Sequence, residues 1–181
     1  MTSQRRRQIN TLADVIRDAC EVKVPASQED LQKMVALLGG SFETKAAFEV
    51  EAMIEKTSSA SNDSFAITLS EDFMPTRRKF SMAHELGHLF LHMGFLTDPE
   101  RWDQIKPFKD SARYRLGRNE EEFEANEFAA ALLMPACEFE RVANETSEGD
   151  SYRVDKIAEH FDVSLQAALT RGRWLDLFAW E

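Results

Sequence analysis

One short stretch constrains the chain more than any other. Residues Ser81-Met82-Ala83-His84-Glu85-Leu86-Gly87-His88-Leu89-Phe90-Leu91-His92 contain the pattern His-Glu-x-x-His. Pro75 predicts the start of a helix there, because the N–H it lacks would be unpaired at a first helical position anyway. That helix is expected to run through Phe80, His84, His88 and His92 to about Met93, with Gly94 ending it. On a helix, positions i and i+4 share one face, with Cβ atoms about 6 Å apart. Two imidazoles so placed can both reach one tetrahedral ion at about 2.0–2.1 Å. Glu85 lies beside this face, where its carboxylate can take a proton from a metal-activated water without being a ligand.

A five-residue pattern also arises by chance, and a single helical histidine is more often structural than catalytic. Three features weigh against chance here. The segment reads as a helix on independent grounds. Leu86, Leu89, Phe90 and Leu91 supply an apolar side that would bury it. Gly87 costs roughly 1 kcal/mol of helix stability against alanine, so a packing reason is expected for it.

A catalytic zinc needs a third protein ligand and an open position. The chain has four histidines and two cysteines, Cys20 and Cys137, without a Cys-x-x-Cys spacing. Cysteine ligation and a disulfide framework are therefore not expected. His92 stands about 12 Å beyond His84 along a straight helix, too far to join the same ion. It reads as a rim or supporting residue, or as a structural one, and His160 as a surface or packing residue. A carboxylate remains, and Glu120-Glu121-Glu122-Phe123-Glu124-Ala125-Asn126-Glu127-Phe128-Ala129 offers five glutamates on one predicted helix. This helix is expected from a cap at Asn119 to about Met134, bent or ended by Pro135. Phe123, Phe128, Ala129, Leu132 and Leu133 mark its expected core face. Glu122, Ala125, Asn126 and Ala129 form a stripe of small residues where another helix could approach. Asn126 could hold a histidine or the carboxylate by a hydrogen bond. Periodicity does not separate Glu122 from Glu121 or Glu124.

Elsewhere the period of apolar residues changes along the chain. Ile9, Leu12, Ala13, Val15, Ile16 and Ala19 predict a one-sided helix over about 4–20. Ser27 and Asp30 stand in capping-box positions before a second helix that Gly39-Gly40 stops. Phe48, Val50, Ala52 and Ile54 alternate with polar residues, as do Phe65, Ile67 and Leu69. These predict two antiparallel strands joined by a hairpin loop over 57–64, with the Phe65 strand as an edge. Residues 95–118 read as a loop or broken helical insert. Two shorter helices are expected at about 154–161 and 165–178. With 181 residues, 43% of them hydrophobic, the chain has enough apolar matter for one core. A single domain over 1–181 is expected, with a helical part at about 1–40 and C-terminal helices at about 150–181 packed on it.

The formal net charge is −10. An acidic body repels phosphate backbones, so direct nucleic-acid binding is not expected. Arg5, Arg6 and Arg7 are followed by a segment broken by Asn10, Asp14, Arg17 and Asp18, which is no signal peptide. No stretch has the apolar length of a membrane span. A cytoplasmic location is expected.

His84-Glu85-Leu86-Gly87-His88, followed by Glu122-Phe123-Glu124-Ala125-Asn126-Glu127-Phe128-Ala129 and Leu132-Leu133-Met134-Pro135, resembles the ImmA/IrrE family of zinc metallopeptidases. The resemblance is strongest over about 65–135. It implies an α+β, minimal zincin-like fold, with helices around a small antiparallel-edged sheet. It implies His84, His88 and Glu122 as ligands of one Zn2+ per chain and Glu85 as catalytic base. Members of the family cut a repressor or antitoxin, often one with a helix-turn-helix domain, which points to toxin-antitoxin or transcription regulation. Too little chain precedes the first strand for a helix-turn-helix domain, so a partner is expected to supply any DNA contact. The segment 154–168 itself resembles a helix-turn-helix, and packing on the body is favoured over DNA contact for it. Arg113, Tyr114, Arg115 and His92 are open candidates for stabilising the oxyanion.

Overall fold

The computed structural model of the protein describes residues 1–57, 64–106, 119–149 and 151–180. The described elements are α1 (Ser3–Ala19), α2 (Gln28–Leu37), β1 (Gly40–Lys45), β2 (Ala52–Lys56), β3 (Phe65–Ser70), α3 (Pro75–Leu91), α4 (Pro99–Gln104), α5 (Asn119–Leu133), α6 (Ala136–Glu145), α7 (Val154–Phe161) and α8 (Leu165–Trp174). This is an α+β fold: helices around one small mixed sheet.

Local chemistry accounts for most of these elements. Ile9, Ala13 and Ile16 put the apolar stripe of α1 inside. The Ser27–Asp30 capping box is present, with Asp30 N–H donating to Ser27 Oγ at 3.1 Å and Ser27 N–H donating to Asp30 Oδ2 at 2.9 Å. Pro75 is at the start of α3. Asn119 is the first residue of α5, and its side chain lies outside the described residues.

The sheet departs from the sequence expectation. Its order is β1-β3-β2. β3 is central, not an edge: it runs parallel to β1, Gly40 opposite Phe65, and antiparallel to β2, Lys56 opposite Phe65. Phe65, Ile67 and Leu69 are buried, and so are Thr68 and Ser70 on the alternate face. A strand covered on both faces suits the centre, whereas a wet face would have suited the edge. β1 escapes periodicity because only Phe42 gives it an apolar signal, and it is half-buried. Its position depends on Gly40, where a Cβ would stand 2.4 Å from the Phe65 ring. β2 is also shorter than expected, since Phe48 and Val50 precede it. Of the expected hairpin loop, residues 58–63 lie outside the described residues.

Two further corrections concern helices. α6 was not expected, although Phe139, Val142 and Ala143 are buried at helical spacing behind Pro135. α8 ends at Trp174, short of Phe178. No described helix is long and apolar enough to cross a membrane.

α5 runs through the middle, packed on α3 on one side and α1 on another. Ala125, Phe128, Ala129, Ala131, Leu132 and Leu133 are its buried apolar residues, while Phe123 is 61% exposed, against expectation. Among the described residues, Phe123 lies on the open side of α5. A cation from the end of the chain fixes the rear of α5. Arg171 of α8 is 1% exposed and donates to Glu127 Oε1 at 3.0 Å, Met134 O at 3.0 Å and Asn10 Oδ1 at 2.8 Å. Asn10 Nδ2 donates to Glu127 Oε1 at 2.6 Å. One guanidinium thereby ties α1, α5 and α8 together and neutralises a buried carboxylate.

Removing one partner of a buried pair leaves the other charged and dry, which costs about 3–5 kcal/mol. Arg171→Ala is expected to lose stability of that order, read as a lower urea midpoint. Arg141→Ala, which breaks exposed pairs with Glu138 and Glu145, should stay within about 0.5 kcal/mol of the wild type. Equal midpoints for the two variants would contradict the anchoring role of Arg171.

Candidate metal centre

α3 carries His84 and His88 one turn apart, and α5 carries Glu122 opposite them. The two helices approach closely because of Gly87. A Cβ there would stand 3.0 Å from both Ala125 Cα and Ala125 O, and 3.2 Å from Phe128 Cβ. Gly87 and the small stripe of α5 therefore let two backbones meet. That contact sets the span between the imidazoles and the carboxylate.

The three side chains converge. His84 Nε2 lies 3.0 Å from His88 Nε2 and 3.3 Å from Glu122 Oε2, and His88 Nε2 lies 3.4 Å from Glu122 Oε1. An ion about 2.0–2.1 Å from each of three ligand atoms, with tetrahedral angles, holds those atoms roughly 3.3 Å apart. The observed separations, 3.0 to 3.4 Å, are close to that spacing, with the two imidazoles facing different oxygens of Glu122. His84, His88 and Glu122 thus form a cluster that could hold a metal ion. Glu121 and Glu124, equal candidates by periodicity, are not in it.

The electrostatics favour a cation between these groups. Hydrogen bonding to His84 first, and then to His88, holds the Glu122 carboxyl well below its usual range. Burial alone would lower the His84 imidazole, but hydrogen bonding to Glu122 and the negative charges of Glu85 and Glu122 outweigh it and raise the group. A bound cation would take over the attraction that a proton otherwise supplies.

Behind each histidine stands a partner on its other ring nitrogen. His84 Nδ1 is 3.0 Å from Asn126 Oδ1. His88 Nδ1 is 2.9 Å from His92 Nδ1. His92 is 6% exposed and turned away from the solvent side, with its Nε2 3.4 Å from Glu124 Oε2. Burial, and then the neighbouring His88, lower the His92 imidazole to about 4. This position leaves His92 behind the cluster and off the groove. Arg113, Tyr114 and Arg115 lie outside the described residues. His160 pairs with Glu138 at 3.2 Å, far from this cluster in its contacts.

The cluster opens on a groove of about 550 Å³, with Val50–Ile54 along one wall and Glu85, Phe80 and Asn126 beside the imidazoles and Glu122. Glu51, Arg77 and Ser81 also line it. Arg77 donates to both oxygens of Glu51, at 2.5 and 2.8 Å, and Ser81 Oγ donates to the same carboxylate. Sequence reasoning missed these groove residues, because Glu51 comes from the loop before β2 and nothing local ties it to α3.

The Peptidase_M78 family model, described as the IrrE N-terminal-like domain, matches residues 46–172. No curated protein matches the chain. Among solved structures, a Mycobacterium tuberculosis transcriptional regulator is similar, with a TM-score of 0.60 and 18% identity over 91% of this chain. At that identity the likeness is one of fold alone. The match spans 46% of the regulator's chain.

Two effects compete in Gly87→Ala. Helix propensity favours alanine by about 1 kcal/mol. Overpacking against backbone, which cannot swing aside, costs about 1–3 kcal/mol. The variant is expected to be less stable than the wild type and to bind zinc less tightly, because α5 must move away from α3. A higher melting temperature with undiminished zinc affinity would show that the helices do not meet as described.

Proposed function

Since the chain belongs to the IrrE N-terminal-like domain family, we propose that it is a zinc-dependent endopeptidase acting on a protein chain laid in the groove beside β2. The observation that carries this reading is the triangle formed by His84, His88 and Glu122 at the floor of that groove. Zinc, when held there, supplies Lewis acidity toward a carbonyl and toward water. The remaining work belongs to the chain's own residues.

Asn126 Oδ1 can only accept, so Nδ1 of His84 carries the proton and its Nε2 lone pair faces the cluster. Glu85 follows His84 on α3 and lines the groove. Its carboxylate accepts a proton from the attacking water and returns it to the leaving amine. The substrate backbone lies along β2, the outer strand of the described sheet on the groove side. The Phe65 strand, expected as an edge, cannot take that place, since β3 has a strand on each side. The substrate class implied by the family resemblance is a repressor or antitoxin, often with a helix-turn-helix domain.

A second reading draws on the likeness of fold to a transcriptional regulator. In it the chain binds a regulatory partner without cutting it. Direct DNA contact is not part of either reading: the net charge is −10, and Arg171 of α8 points into the body.

The test combines metal content with cleavage. Wild type is expected to hold about one zinc per chain, and Glu122→Ala far less. Glu85→Gln should keep its zinc and lose about 10²–10⁴-fold in cleavage rate of a co-expressed repressor or antitoxin partner. Zinc retained by Glu122→Ala would move the third ligand elsewhere. Cleavage retained by Glu85→Gln would overturn the assigned base. A zinc-loaded wild type that binds such a partner and leaves it intact would favour the second reading.

A further inference from the structure

Behind His88 a chain of polar groups runs away from the groove to the first helix of the protein. His88 Nδ1 is 2.9 Å from His92 Nδ1. His92 Nε2 is 3.4 Å from Glu124 Oε2. Glu124 in turn is gripped by Arg5 of α1, whose Nε donates to Oε1 at 2.7 Å and whose Nη2 donates to Oε2 at 2.6 Å. His88, His92 and Glu124 are buried, at 3%, 6% and 8% exposure. None of Arg5, Glu124 or His92 lines the groove.

We infer that Arg5, Glu124 and His92 form a positioning relay that sets the tautomer and ring orientation of His88 from α1. The direction of each bond follows from donor and acceptor chemistry. Arg5 has only donors, so both Glu124 oxygens accept, and Glu124 Oε2 can take His92 only as a donor. The His92 proton is therefore on Nε2, and its Nδ1 has a lone pair. His88 Nδ1–H donates to that lone pair, which leaves the His88 Nε2 lone pair facing His84 and Glu122. A ligating histidine usually gives its second N–H to a carboxylate or carbonyl directly. Here a second imidazole stands between the histidine and the carboxylate, and the anchor is a guanidinium from residues far away in sequence. Arg5 lies outside the segment 46–172 that carries the family match. His92, Glu124 and Arg5 are positioning residues: the contacts described for them reach the cluster through His88.

The inference rests on the reading of His84, His88 and Glu122 as a zinc site, and the test separates the two. Zinc dissociation constants are measured by chelator competition for wild type, His92→Phe, Arg5→Ala and the double variant. Unfolding curves of the metal-free proteins accompany them. Loss of such an outer partner typically weakens metal binding about 10–100-fold. His92→Phe is expected to fall in that range and Arg5→Ala below it. The Arg5→Ala effect should vanish when His92 is already Phe, because the relay is then cut. His92→Gln, which keeps a donor and an acceptor, should recover part of the affinity, and it carries the comparison if the Phe variant does not fold. Cobalt(II) in place of zinc should show a shifted visible spectrum in Arg5→Ala, which a loss of global stability alone would not produce. A wild type that binds zinc while the variants bind it equally well overturns the relay and leaves the peptidase reading standing. An Arg5→Ala effect of the same size in both backgrounds overturns it too. A wild type that takes up no zinc removes the metal reading and the relay together.

Discussion

The approach of α3 to α5 at Gly87 governs the rest of the structure. A hydrogen atom at Gly87 lets the Ala125 backbone come to where a Cβ would touch it at 3.0 Å. With any larger residue the helices would separate, and the first thing to change would be the span from the two imidazoles to Glu122. Coordination geometry tolerates only a few tenths of an ångström. The helix-breaking cost of glycine is thus incurred at the one turn of α3 that lies between the two histidines. Beside that contact the Phe90 ring of α3 meets the Phe128 ring of α5, centroids 5.8 Å apart, and Leu86, Leu89, Phe90, Phe128 and Ala129 are all at 2% exposure or less, so hydrophobic burial holds the helices at the separation that glycine allows.

α5 is held from other sides by charge. Glu127 meets Arg171 from α8, and Glu124 meets Arg5 from α1. Both cations come from helices remote in sequence from α5. A buried carboxylate is tolerable only when a donor of opposite charge is placed against it. These pairs therefore specify where α1 and α8 sit rather than add much to stability. They connect the ends of the chain to the helix that carries Glu122.

Much of this was legible in the sequence, and the misses have physical causes. His84, Glu85 and His88 could be placed because helical spacing is local: the pattern, the Pro75 start and the apolar side all lie on one element. The Ser27–Asp30 cap was legible for the same reason. The third member of the cluster was not separable by periodicity, because α5 is covered on more than one side and carries acidic residues around most of its circumference. Only the family resemblance picked Glu122 from its neighbours. The sheet order was misread because β1 has a weak apolar signal and its pairing with β3 is non-local. Phe123 was misread because a large apolar residue on a helix is normally inside, and here Glu124 and Glu127 take buried positions beside it instead. Glu51, Arg77 and Arg5 reach the site region through tertiary contacts that no spacing rule can reveal.

Three glutamates within two turns of α5 show how position sorts identical chemistry. Glu127, 4% exposed, and Glu124, 8% exposed, each face a guanidinium. Glu122 is more open, and its partners among the described residues are two imidazoles. A guanidinium carries its charge at every relevant pH, whereas an imidazole is neutral unless protonated. Of these three charges, that on Glu122 is therefore the one without a guanidinium partner among the described residues. It is held low by hydrogen bonds from imidazoles, whose nitrogen lone pairs can hold a metal ion in place of a proton. Had an arginine faced Glu122 as one faces Glu124 and Glu127, the triangle would be closed to a cation. The sorting of these three carboxylates is what separates the candidate centre from the anchors around it.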